Sequence, residues 1–534
     1  MFDKESCRHH LPLWGAFIAS LLFLFVPGVK DTALVLWPSL VAIGLTFLTH
    51  NIWLALFFGA FCGSILVHQE PLTAFLKLFS DYMLPALADP WNAGVLVFTL
   101  MMGGFVELLN RGGGMQTLAE RWLKNSQSTK RTELGIFALG WVMFIDGLAN
   151  AMLVGRTMRP IADRAGVSRE RLALIVDTTS SPIAAFALVS TWIAFEMSVI
   201  REGFVLAWSE AEAAGISPFS LLIQSLPHRY YNYVVLALVF ASIVMGKHLR
   251  PLRKLETVST HPEKETAAES SGNTPAWRAL APVAFLLIAV FMGLFLEGRQ
   301  PGDSMDLQGI IAAFGRSNAS MVFVCATALA SVFAMIIFPR HAKTKKSTSE
   351  IYIEGMQKMF PPVVILALAW TLSGVIKDLE TGQWLSEQLA GNMAPGLLPV
   401  SVFILAALTS FSTGTSWGTM AILMPLVIPI GIETMQVTPG AEIPSLLIAT
   451  IGAVLSGAVF GDHCSPISDT TLVSAISSGC GPIRHVHSQL PYALWAGGVS
   501  IVIWGGCVAV GIPTIISLIL IPAMVWGIIR FKGG

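Results

Sequence analysis

Residues 461–471, Gly-Asp-His-Cys-Ser-Pro-Ile-Ser-Asp-Thr-Thr, hold two carboxylates, an imidazole, a thiol and four hydroxyls between apolar runs long enough to lie inside a bilayer. An ionisable group at that depth costs on the order of 3 kcal/mol and marks an ion, proton or substrate pathway by default. Asp462, His463, Ser465, Asp469 and Thr470 are therefore candidate ligands. Their oxygens suit a hard cation such as sodium, which prefers carboxylate, hydroxyl and carbonyl donors. Zinc fits poorly, because the adjacent His463 and Cys464 do not easily converge on one ion. A carboxylate that takes a proton when no cation is present, and yields it when one binds, is enough for exchange.

The order Asp, short polar run, Ser-Pro-Ile occurs twice, at Asp462 to Ile467 and at Asp177-Thr178-Thr179-Ser180-Ser181-Pro182-Ile183. Proline cannot donate to a helix and biases its predecessor away from helical geometry, so each site predicts a broken helix with freed carbonyls. Asp177, Thr178 and Ser181 are candidate ligands at the first break, or capping groups of a kinked helix. Asp146, between an apolar run and Gly147, is a further cation ligand or a helix cap, and Asn150 four residues on adds an amide oxygen to the same helical face. The polar tip Ser412-Thr413-Gly414-Thr415-Ser416 reads as an oxygen nest or as a turn bonded to its own backbone. Arg156, Arg159 and Arg164 read as interfacial anchors, with contact between Arg159 and a substrate carboxylate as the alternative. Asp146 and Asp462 are the carboxylates expected to hold sodium.

These groups need a frame. The 534 residues are 54% hydrophobic and only 12% charged, about half the charge of a soluble domain, which makes the chain an all-α polytopic membrane protein. Six scattered cysteines without CxxC spacing read as small buried hydrophobes, and the zero net charge gives no reason to expect a nucleic-acid partner. Twelve spans are expected, at 11–28, 32–49, 52–68, 92–110, 172–200, 218–246, 277–296, 319–338, 359–377, 444–480, 489–510 and 512–530. The first is expected to be a retained helix rather than a cleaved signal, and 70–91 an outer interfacial helix.

Loop charge separates spans from hairpins. Segments 111–133 and 156–171 each carry five Lys or Arg, so both belong inside and 134–156 must dip in and return. Segments 378–398 and 432–443 carry acids but no Lys or Arg, so 399–431 returns to the outer side. Two re-entrant hairpins of opposite direction, each followed by a broken helix (172–200 and 444–480), predict inverted-topology repeats with the site at the midplane. The expected units are scaffold helices 1–91, repeat one at 92–246, a cytoplasmic linker at 247–276, scaffold helices 277–338, repeat two at 359–510 and a final helix 511–534. Both termini fall on the cytoplasmic side, and 1–69 with 277–338 serve as scaffold or homodimer contacts.

At these residues the chain resembles the NhaC-type sodium/proton antiporters of the ion-transporter superfamily. The matching stretches are Asp146 to Asn150, Gly155 to Pro160, Asp177 to Pro182, Ser190-Thr191-Trp192 and, above all, Gly461 to Thr471. The resemblance implies a secondary transporter of the bacterial inner membrane that exchanges sodium for protons and needs no cofactor. It departs at Gly147 and Leu148, where family members often carry an acid and an aromatic, and this leaves open a sodium- or proton-coupled carrier of a small organic solute such as an amino acid or carboxylate. An intramembrane aspartyl protease is disfavoured, because Val459 stands where its Gly-x-Gly-Asp motif requires glycine.

Overall fold

A computed structural model describes residues 29–533 except 115–116, 119–127, 214, 251, 253–273, 302, 306, 339–345, 382–383 and 385–393, together with 15, 16 and 19. Most of the expected first span 11–28 and of the linker 247–276 lies outside the described residues. The described chain is helical throughout, with no strand. The first helices are α1 (Trp37–Thr49), α2 (Ile52–His68), α3 (Pro90–Arg111), α4 (Thr129–Val142), α5 (Gly147–Arg164), α6 (Arg169–Thr178) and α7 (Ser181–Ala184). Then come α8 (Ile193–Ala207), α9 (Pro218–Ser225), α10 (Tyr230–Met245), α11 (Trp277–Gly298), α12 (Leu307–Arg316), α13 (Ala319–Ile337) and α14 (Thr348–Lys358). The last are α15 (Phe360–Asp378), α16 (Leu398–Thr413), α17 (Ser416–Thr434), α18 (Ser445–Cys464), α19 (Asp469–Ser478), α20 (Pro482–Val502) and α21 (Thr514–Lys532).

Among the described residues nine helices are long and apolar enough to cross a membrane, or ten if α2 and the helix Pro71–Ala88, bent from it by 119°, count as one span. The nine are not the expected twelve: two of them, Pro395–Thr413 and Ser416–Thr434, are the arms of the expected hairpin 399–431, each long enough to cross. Conversely, 172–200 breaks into the short helices α6, α7 and α8, and most of 11–28 lies outside the described residues. Tyr230–Met245 is apolar but short, and α1, with 13 residues, is about 20 Å long against a hydrocarbon core of about 30 Å. The helix Pro71–Ala88 turns away from α2 after Gln69, which takes left-handed geometry, and Tyr82 anchors it by donating to Asp378 at the end of α15. α18 sits at the centre, and α11, α13 and α21 present Ile288, Leu296, Ile336 and Ile519 outward, as lipid-facing helices do.

Each expected hairpin is two helices joined at a short break. α4 ends at Val142 and α5 starts at Gly147, whereas α16 ends at Thr413 and α17 starts at Ser416 across the left-handed Gly414. Each broken helix also breaks where expected, α6 giving way to α7 at 179–180 and α18 to α19 at 465–468. The partners cross over between halves: α5 packs on α19, and α17 packs on α8.

Buried charge secures these interruptions. Arg171 on α6 pairs with Glu133 on α4 at 3.1 Å. Arg229, just ahead of α10, pairs with Glu196 on α8 at 2.8 Å and donates to the carbonyl of Ala185, while Asn232 donates to that of Pro182 at 3.0 Å. The carbonyls of Pro182 and Ala185, left free where α7 unwinds, are thus taken up by Asn232 of α10 and by Arg229 just ahead of it, which is how non-helical backbone survives at membrane depth.

Candidate functional site

Asp462 lies in the last turn of α18 and is 4% exposed. Its carboxylate accepts from Ser468 at 2.6 Å, Thr470 at 3.3 Å and Ser181 at 3.3 Å, and its carbonyl accepts from Thr471 at 3.1 Å. Both Ser-Pro-Ile breaks therefore supply a hydroxyl to one carboxylate. The reason is local: Ser468 caps α19, so its oxygen sits at the break, and Ser181 opens α7 at the other.

Asp146 caps α5, accepting from the Ala149 amide at 2.7 Å, and its second oxygen accepts from Thr191 at 2.9 Å. The Thr191 amide bonds the Ile145 carbonyl at 3.0 Å, which laces the first hairpin tip to the unwound residues after α7. The second tip is laced to the second break in the same way. Ser465 donates to the Phe411 carbonyl at 2.7 Å, and a Cβ on Gly414 would lie 2.7 Å from the Ile467 carbonyl. Gly414 also has φ +67°, so both space and backbone require glycine there.

Asp146, Asp462 and Asp469 line one cavity of about 500 Å³, together with Thr413, Thr415, Thr470, Trp192, Trp417, Lys358 and the turn His50-Asn51. Asp469 is exposed into this space. Of the remaining expected ligands, Ser412 presents its carbonyl to His50 Nδ1 at 2.5 Å, and Ser416 donates to the Ala458 carbonyl at 3.2 Å. Asn150 does not join Asp146. Its amide donates to the carbonyls of Gly140 at 2.9 Å and Thr179 at 2.6 Å, bracing the hairpin against the first break. Among the described residues no three His, Cys, Asp or Glu side chains cluster closely enough to hold a metal ion, so the cavity offers mixed carboxylate, hydroxyl and carbonyl oxygens instead.

Asp177, Thr178 and His463 form a second, fully buried network beside the cavity. Asp177 accepts from Ser474 at 3.1 Å and Gln489 at 2.7 Å and meets His485 at 3.1 Å. The His463 ring lies between Thr178 at 3.2 Å and Tyr231 at 2.7 Å, and its carbonyl accepts from Gln489. This network ties α6, α18 and α20 together, and none of its residues lines the cavity. Ser468, Ser474, Tyr231, His485, Gln489, Thr191, His50 and Lys358 are absent from the sequence-derived set of ligands. Of these, Ser468 and Thr191 lie in stretches already singled out, 461–471 and Ser190-Thr191-Trp192, and His485 and Gln489 sit four residues apart, on one face of the polar first turns of α20.

The comparisons agree with this architecture. The profile of the Na+/H+ antiporter family matches residues 183–507, well over half of the chain. An uncharacterised protein of Haemophilus influenzae is 29% identical over 466 residues, covering 85% of this chain and 87% of its own. The malate-2H+/Na+-lactate antiporter of Bacillus subtilis is 31% identical over 169 residues, 29% of this chain and 32% of its own. The YdaH transporter of Alcanivorax borkumensis shares the fold, with a TM-score of 0.54 at 16% identity over 91% of this chain and 100% of its own. The chain belongs to the Na+/H+ antiporter family and is a secondary active transporter of the sodium/proton exchange class rather than an enzyme.

Proposed function

We propose that sodium and protons compete for Asp462 and Asp146, in a cavity that opens alternately to the two sides of the bacterial inner membrane. The observation that carries this reading is the single cavity shared by both aspartates, one at a helix break and one at a hairpin tip. With sodium bound, the Asp462 carboxylate and the hydroxyls of Ser181, Ser468 and Thr470 supply ligand oxygens. With sodium gone, a proton on Asp462 donates to one of the same hydroxyls. Burial favours the neutral acid of a carboxylic group and a bound cation favours its anion, so one site serves both ions in turn.

Alternation follows from two inverted repeats, 92–246 and 359–510, whose hairpins enter the membrane from opposite sides. A vestibule of about 480 Å³ runs along α5 at Ala149, Leu153 and Arg156, and another of about 460 Å³ runs along α17 at Pro425, Pro429 and Glu433. These arms are equivalent in the two repeats. Lys358 lines both the α5 vestibule and the aspartate cavity, whereas the α17 vestibule shares no residue with that cavity. With the basic loops inside and both termini cytoplasmic, the arrangement faces inward.

In proteoliposomes holding the purified full chain, an imposed sodium gradient with no organic solute present should change the internal pH and reverse sign with the gradient. A pH change that appears only when an organic solute such as malate is added would overturn sodium/proton exchange as the complete reaction.

A further inference from the structure

Lys358 ends α14 at the threshold between the α5 vestibule and the aspartate cavity, and among the described residues no other side chain lines both. Its ammonium pairs with Glu107 of α3 at 2.5 Å, and its side chain remains 48% exposed. Glu107 does not depend on it. Arg111, one turn on, holds the same carboxylate at 2.7 Å and Glu354 at 2.6 Å, so the release of Lys358 leaves no orphaned buried charge on α3. Across the threshold stand the carboxylates Asp146, Asp469 and Asp462, which line the same cavity as Lys358. The other titratable groups near the threshold are His50 on the cavity wall and Arg156 in the vestibule.

We propose that Lys358 is a tethered counter-cation of the ion site: its ammonium moves between Glu107 and the cavity carboxylates, so that arriving sodium must displace it. A lysine suits this role, since its charge is compact and its four-carbon stem is flexible. With the cavity empty, Lys358 neutralises Asp146 and Asp469 and closes the way to the vestibule. With sodium bound, like charge drives the ammonium back to Glu107 and opens that way. Lys358 is thus a positioning residue that sets sodium affinity and occupies the release path. The proposal rests on the assignment of Asp462 and Asp146 as the sodium site.

The test is sodium binding to the purified full chain, by isothermal titration calorimetry, for Lys358→Gln, Glu107→Gln and both together. Lys358→Gln removes the competitor and should tighten the sodium Kd about tenfold. Glu107→Gln removes the alternative partner, sends the ammonium into the cavity and should weaken binding about fivefold or more. The double variant should match Lys358→Gln. A pair that matters only to folding moves both single variants in the same direction or not at all, and either result overturns the proposal, whichever variant survives purification. If Asp462→Asn binds sodium as the wild type does, the site assignment fails. If it loses binding while Lys358→Gln is unchanged, only the role of Lys358 fails.

Discussion

Asp462→Asn abolishes sodium-driven proton movement in proteoliposomes while the protein still purifies folded. An amide keeps the shape: its oxygen still accepts from Ser468, and its NH2 donates to the Thr470 hydroxyl in place of the second carboxylate oxygen, so the break between α18 and α19 stays closed. What goes is the charge. A unit charge about 4 Å from a cation in partly screened surroundings contributes about 4 kcal/mol, roughly a thousandfold in sodium affinity. The amide also cannot carry the exchanged proton, so both half-reactions stop. The measurement is internal pH under an imposed sodium gradient, with thermal unfolding alongside. Wild-type exchange in the folded variant removes Asp462 from the mechanism.

Asp146→Asn separates two roles that coincide in one side chain. Asparagine caps a helix about as well as aspartate, so the bond to the Ala149 amide survives and stability falls by no more than about 1 kcal/mol. The carboxylate that faces the cavity is lost, and sodium affinity should drop roughly tenfold to a hundredfold. The loss is smaller than at Asp462, because Asp146 gathers one hydroxyl, from Thr191, and Asp462 gathers three. Sodium titration of the purified variant reads this directly. Wild-type affinity in Asp146→Asn would leave Asp146 a helix cap and nothing more.

Much of this arrangement was legible in the residues, because prolines, glycines and short polar runs punctuate helices by local rules. The breaks beside Pro182 and Pro466 and the tips at Asp146 and Gly414 fall where backbone chemistry requires them. Reading Asp146 and Asn150 as one helical face was less successful, since Asp146 stands outside the helix as its cap and Asn150 turns to the neighbouring break. Depth in the membrane was harder to read than apolarity. The pair 32–49 and 52–68 looks like two spans, yet α1 is too short, and the turn at His50-Asn51 reaches the cavity and bonds the second hairpin tip.

Contacts between distant residues left the least trace. Nothing near Asp177 points to His485 or Gln489, some 300 positions away, and only the packing of α20 on α6 brings them together. Lys358 reads as one more inner-loop charge. Its place at the threshold comes from the packing of α14 on α3, where Gly103 and Gly355 approach so closely that neither has room for a side chain.

Competition between sodium and protons for one set of carboxylates is tested most directly by proton release. Sodium added to the purified protein in weakly buffered detergent solution should release protons in step with its binding, and Asp462→Asn should release none. Saturable sodium binding with no proton release, in the wild-type protein across neutral pH, would contradict the account.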